Sequence, residues 1–214
     1  MPFDFLRRRG KPAVAPSTTQ SMATREGTVD FEALTEEWRL SGTMNVTGRL
    51  SDVLNRREQI PISNVRWAPL DGSAEPTDAP GLKSVDPYDL IVVIAGETTL
   101  PPLTDSERAA HKVHKITYDV ALEAPPFRVV GTVQLYPGSE PERLLDRGTE
   151  MFVAVIEAIA YYEDRPITPE AGITVLVNRF YLRGVEQIDK RTGERPQKLP
   201  GQPLGGVSWR ERSR

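Results

Sequence analysis

The chain has 214 residues, 38% hydrophobic and 27% charged, with a formal net charge of −3, which suits one large or two small domains of ordinary soluble composition. No run of about 18 apolar residues is available to span a membrane. The absence of cysteine excludes disulfides and thiolate sites. The charge is unevenly placed: residues 1–26 carry five Lys/Arg against two acids and residues 189–214 seven against three, whereas residues 27–188 carry fifteen against twenty-five, a balance of −10. The sequence therefore describes an acidic body between two basic tails.

Taken in order, residues 1–26 hold few large apolar side chains after Leu6 and are expected to be a disordered basic tail. Within it Phe3, Phe5 and Leu6 stand beside Arg7, Arg8 and Arg9, an apolar-then-basic peptide suited to an anionic membrane surface or a partner groove. No apolar stretch follows these arginines to make a secretory signal, so a cytoplasmic protein is expected. Residues 27–95 read as a first β-rich unit. Val29, Phe31 and Ala33 alternate, Thr35-Glu36-Glu37 reverses the chain, and Trp38, Leu40, Gly42, Met44 and Val46 alternate again, giving a half-buried hairpin. Gly42 in mid-strand marks a bulge or bend. Leu50, Val53 and Leu54 then mark a short amphipathic helix. Ile60, Ile62, Val65 and Trp67 give a third strand, residues 69–88 a long polar loop, and the β-branched run at residues 90–94 a strand buried on both faces.

Residues 96–115 read as a linker, and residues 116–188 repeat the order of the first unit. Trp38-Arg39-Leu40-Ser41-Gly42-Thr43 returns 89 residues later as Phe127-Arg128-Val129-Val130-Gly131-Thr132, and the same offset brings Asp30 onto Asp119. Tyr136-Pro137-Gly138-Ser139-Glu140-Pro141 is an inserted turn, Arg143 to Asp146 echoes Arg49 to Asp52, residues 152–162 suit a strand or a helix and are read as a strand because their position matches Ile60 to Trp67, and residues 173–178 supply the closing strand. From Asp189 the composition turns to Lys, Arg, Gly and Pro, and a second disordered tail is expected. The fold class is thus mainly β with short helices. Two tandem β-β-α-β-β repeats form small-barrel or curled-sheet units packed with pseudo-twofold symmetry.

An aromatic-Arg-aliphatic-x-Gly-Thr strand, the segment Arg49-Leu50-Ser51-Asp52-Val53-Leu54-Asn55 and the closing Val175-Leu176-Val177-Asn178 together resemble a family of small uncharacterised prokaryotic domains. Arg143 to Asp146 is a degraded copy of the helical motif, and residues 90–94 lack the terminal Asn. The resemblance implies a recurrent bacterial module of unknown function and lends no catalytic residues. The strand–Gly–strand pattern alone is also similar to Sm-like small barrels.

Candidate sites are few. His111 and His114 suggest a metal, but on a strand they point to opposite faces, and Lys112 and Lys115 repel a cation; no metal or cofactor is expected. Asp52 and Asp146 hold equivalent positions and would form a polar pair between the repeats, against a plainer reading as Arg–Asp contacts or as helix capping by Ser51 and Asp52. Arg39 and Arg128 are expected to pair with cross-strand acids. No phosphate loop or nucleophile motif is present, and Pro200-Gly201-Gln202-Pro203 is a PxxP sequence in the tail. A −10 body is expected to bind no specific nucleic acid. The reading is a non-enzymatic interaction or scaffold module whose tails recruit a protein partner or an anionic surface, and whose edge strands allow self-association. The alternatives are a peripheral membrane adaptor held by the N-terminal peptide, and a ligand sensor or enzyme with a pocket between the repeats.

Overall fold

The computed structural model describes residues 26–95, 115–146, 148, 150–168 and 173–189. The two histidines, the N-terminal Phe/Leu/Arg peptide and most of both tails and the linker lie outside these residues. The first half runs β1 (Glu26–Leu34), β2 (Trp38–Thr47), α1 (Leu50–Asn55), β3 (Ile60–Pro69), β4 (Thr77–Asp78), β5 (Ser84–Val85) and β6 (Val92–Ala95). The second runs β7 (Ile116–Ala124), β8 (Phe127–Leu135), β9 (Phe152–Tyr162), β10 (Arg165–Pro166), β11 (Ile173–Asn178) and β12 (Gly184–Gln187). The protein is mainly β. The strands form one open antiparallel sheet in the order β12-β7-β8-β9-β11-β6-β1-β2-β3-β4, with β10 added to β9 and β5 to β3.

The two three-stranded meanders share their register. Asp30 lies opposite Thr43 and Leu34 opposite Arg39, as Asp119 lies opposite Thr132 and Glu123 opposite Arg128, an offset of 89 on both strands. Trp38 lies opposite Pro69 and Thr43 opposite Ser63, as Phe127 lies opposite Tyr162 and Thr132 opposite Ile156, an offset of 93 on the third strand. The four additional residues fall between β8 and β9, where the sequence inserts its Pro-Gly turn. Each meander has a bulge at the same point. Asn64 (φ 52°) and Glu157 (φ 48°) are the left-handed residues of the bulged strands, facing Gly42 and Gly131. A Cβ at Gly42 would come within 2.8 Å of the Ser63 carbonyl oxygen, and one at Gly131 within 2.5 Å of Val155 Cγ1, so glycine lets the curled strands approach.

The halves do not bury their apolar faces against each other. They meet edge to edge through β6 and β11, where Val92 lies opposite Val177 and Val93 opposite Leu176. Because all pairings are antiparallel, β1 and β7 point in opposite directions, although β1-β2-β3 and β7-β8-β9 progress the same way across the sheet. Reversing strand direction while keeping that order exchanges the two faces. Equivalent apolar positions therefore line opposite sides: Phe31, Leu40 and Met44 belong to one core, Val120, Val129 and Val133 to the other. The central strands serve both. Val93 and Leu176 join the first core, and Val92, Val175 and Val177 the second, which is why these strands read as unbroken apolar runs.

Short helical segments cover each core. Helix α1 buries Leu50, Val53 and Leu54 against the first. Its start differs from the sequence expectation. The N-cap is Arg49, which makes no side-chain cap bond, so Ser51 and Asp52 already lie inside the first turn and cap nothing. The Arg143–Asp146 echo is a 3₁₀ turn, Pro141–Leu145, that lowers Leu144 into the second core and ends where Asp146 becomes extended. The polar 69–88 loop contains β4 and β5, which cover the outer edge of β3.

Polar side chains tie the halves together in both directions. Asn55, at the end of α1, accepts the backbone N–H groups of Met151 (2.7 Å) and Phe152 (2.8 Å) where β9 begins. Asn178, at the end of β11 and fully buried, donates to the carbonyls of Leu90 (2.8 Å) and Pro87 (3.3 Å) and accepts the N–H of Phe180 (3.0 Å). The next residue, Arg179, spends its guanidinium on the carbonyls of Arg143, Leu144, Glu150 and Asp146. Replacing Asn55 by alanine strands two amides at this junction and is expected to cost about 1–3 kcal/mol of unfolding free energy in urea titration.

Candidate functional site

The hairpin turns place a partly exposed aromatic surface at one end of the first half. Bulge geometry sets Leu40 opposite Trp67 and Trp38 opposite Pro69, so the two indoles occupy neighbouring positions on one face of the sheet. They stack with centroids 4.7 Å apart and planes inclined by 23°. Trp38 rests on the rim of the first core, while Trp67 is 40% exposed. Such a pair gains ~0.5–1.5 kcal/mol from stacking, yet leaves a large flat apolar surface in water. Tyr88, 44% exposed, stands on the turn that precedes β6 and packs against Phe180 at 5.7 Å, with the Arg57 guanidinium on the other ring contact at 5.7 Å.

Several carboxylates lie at this end of the sheet, on both of its faces. Glu36 and Glu37 precede Trp38 and are exposed. Leu70, bonded through its N–H to the Glu37 carbonyl, brings Asp71 alongside. Asp78 lies opposite Arg66, on the face of the sheet away from Trp67, whose own partner is Thr77. Asp71 is held below the usual carboxylate value, first by the Ser73 N–H it accepts at 2.8 Å, then by the Ser73 hydroxyl, with Arg165 acting in the same direction. The Tyr181 phenol, which donates to the Tyr88 carbonyl at 3.1 Å, is raised by its burial and then by the negative charges of Glu36 and Asp89. On the opposite face of these strands, Arg66 contacts Asp78 at 3.7 Å and Arg39 contacts Glu32 at 2.6 Å.

The pairing expected for the two repeated arginines holds, since Arg128 contacts Glu123 at 3.0 Å as Arg39 contacts Glu32. Asp52 and Asp146 are both exposed, and no hydrogen bond or ion pair joins them. What the Asp146 position contributes is its backbone carbonyl, taken by Arg179. Among the described residues, no group of three or more His, Asp or Glu side chains is placed to hold a metal ion. A cleft of about 610 Å³ opens within the first half, where the ends of β1 and β2 diverge from the α1–β3 connection. Its floor is Val46, Val53 and Ile60, and its rim includes Asn45, Arg56 and Glu58. It does not lie between the halves.

Trp67 was legible in the sequence only as a strand residue. Its partnership with Trp38 depends on the bulge at Asn64, which shifts the register of β3 against β2. Fold and surface together define an open antiparallel β protein with a stacked, partly exposed tryptophan pair at one end and no helix among the described residues long and apolar enough to cross a membrane. Comparison with family models, with curated proteins and with solved structures finds no match to this chain.

Proposed function

We propose that this chain is a non-enzymatic interaction or scaffold module of the cytoplasm, built by internal duplication of a small β unit akin to the prokaryotic domains its motifs resemble. The basic segments at its two ends recruit a protein partner or an anionic surface, and the acidic body presents the recognition face. The observation that carries this reading is the stacked pair Trp38–Trp67, with Trp67 40% exposed. Tryptophan is a costly residue to leave in water and is enriched where partners bind. The −10 balance of residues 27–188 favours cationic partners and repels anionic ones.

The test compares the full chain with one beginning at Gly27, in pull-downs from lysate and in flotation with vesicles containing anionic lipid. Retention of a specific protein by the full chain and its loss on Trp67→Ala would support the module. Equal flotation of the two chains would remove the membrane anchor formed by Phe3, Phe5, Leu6, Arg7, Arg8 and Arg9. Retention of nothing above control by either chain would overturn the reading.

A further inference from the structure

The correspondence between the halves extends through their closing strands, at an offset of 92. Leu34 lies opposite Val92 and Ala33 opposite Val93, as Glu123 lies opposite Gly184 and Leu122 opposite Val185, so β12 is the counterpart of β6. Ile60 lies opposite Val85 and Pro61 opposite Ser84, as Val153 lies opposite Val177 and Ala154 opposite Leu176, so β5 is the counterpart of β11. The turns agree as well. Asp86 accepts the N–H of Tyr88 at 2.9 Å and Asn178 that of Phe180 at 3.0 Å. The carbonyls of Leu34 and Glu123 accept the N–H groups of Ile91 and Arg183 at 2.9 and 2.8 Å. The joint at β6 and β11 therefore pairs the closing strand of one repeat with the strand before the closing strand of the other. The remaining members of that set are β12 and β5, and among the described residues no strand pairs with the outer edge of either.

Resting on the interaction-module reading above, we propose that copies of this chain associate head to tail, the β12 edge of one pairing with the β5 edge of the next in the register of the internal joint. In that joint Val92 lies opposite Val177, Val93 opposite Leu176, Ile94 opposite Val175 and Ala95 opposite Thr174. Carrying each residue by the offset of 92 sets Gly184 opposite Val85, Val185 opposite Ser84, Glu186 opposite Lys83 and Gln187 opposite Leu82. The one charged residue on each edge thus meets the opposite charge, and a slip of one residue would separate the two and turn their side chains to different faces. The backbone bond from the Asn178 N–H to the Ile91 carbonyl, 2.9 Å within the chain, has its counterpart in the Asp86 N–H and the Arg183 carbonyl of the copy it meets. The contact between copies is the weaker of the two. Met151, Phe152 and Leu176 of the second half enter the first core, whereas their counterparts Glu58, Gln59 and Ser84 are polar. Asn178 donates across the internal joint to the carbonyls of Pro87 and Leu90, whereas Asp86 has no N–H to offer the equivalent carbonyls of Arg179 and Leu182. Association between copies is therefore reversible, while the halves of one chain stay joined.

The contact is heterologous, so it propagates into a ring or an open chain. In sedimentation equilibrium the full chain should show a weight-average mass that rises with concentration. Lys83→Glu and Glu186→Lys each set like charges opposite one another, and each should weaken association at least ~5-fold. Both changes in one chain, or an equimolar mixture of the two single variants, should associate as the wild type does, which separates a specific pair from a failure to fold. Asp86→Asn supplies the missing donor and should tighten association ~5-fold. A wild type that is monomeric at every concentration would overturn the proposal. So would single charge variants that associate like the wild type, or a double variant as weak as the single ones. If the wild type stays monomeric while a lysate partner is still lost on Trp67→Ala, this inference fails and the interaction module stands.

Discussion

Gly131→Ala is expected to destabilise the protein by about 2–3 kcal/mol, because the new methyl meets Val155 Cγ1 at 2.5 Å, the Ala158 Cα at 3.0 Å and the Ile156 carbonyl oxygen at 3.0 Å. Val155 cannot rotate away cheaply, since β-branching limits it at χ1, and it lies fully buried in the second core. The other two atoms are backbone. Gly42→Ala should cost a similar amount, as its nearest neighbours, the Ser63 carbonyl oxygen at 2.8 Å and the Val65 Cα at 3.2 Å, are backbone as well. Gly81→Ala is the control, with nothing within 4 Å of the added carbon; it should stay within about 0.5 kcal/mol of wild type. Thermal denaturation reads the contrast as a fall in Tm of about 4–12 °C for either bulge glycine, against little change at Gly81. Equal Tm values for Gly131→Ala and Gly81→Ala would show that the bulge does not require close approach.

The second large effect is expected at Asn178, the fully buried polar side chain that holds the turn before β6 to the end of β11. Asn178→Leu keeps the volume but leaves the Pro87 and Leu90 carbonyls and the Phe180 N–H without their partner, for a loss of about 3–4 kcal/mol. Asn178→Asp separates donor loss from shape. The carboxylate still accepts from Phe180, but it turns a negative charge toward two carbonyl oxygens, and burial plus those dipoles raise its pKa. A group whose folded pKa is raised contributes stability when protonated and loses it as pH climbs through that value. The aspartate variant should thus be closest to wild type in acid and fall away toward neutral pH, whereas the leucine variant keeps a constant deficit. Parallel pH profiles for the two would contradict the assigned hydrogen bonds.

Both effects concern features the sequence conveyed unequally. The hairpins were legible because alternation at Val29 to Val46 and at Ile116 to Leu135 has period two, and mid-strand glycine has few uses other than close approach. The twofold-buried strand at residues 90–94 was legible for the same reason, its β-branched run having no polar face. Alternation does not say which side of a shared sheet a strand buries, and so the opposite-facing cores were hidden. They follow from strand direction and order, which depend on the long connection between β6 and β7. The Asn178 latch and the Arg179 carbonyl cradle were hidden because their partners, near residues 87–90 and 143–150, are about 30 to 90 positions away and are backbone atoms that any sequence supplies. The Trp38–Trp67 stack was hidden by one residue of bulge. Exposed Asp52 and Asp146, by contrast, were conspicuous as a repeated motif, although Asp52 carries no cap and Asp146 is used through its carbonyl.

The presenting surface and the latches both depend on the strands forming one platform joined at β6 and β11. Native-state amide hydrogen exchange measures this directly. The account expects the amides of β6 and β11 to be the slowest in the protein, opening only with global unfolding, and residues from β2 and β8 to report one common unfolding free energy. Two separate unfolding energies for the halves, with β6 and β11 exchanging faster than the meanders beside them, would contradict it.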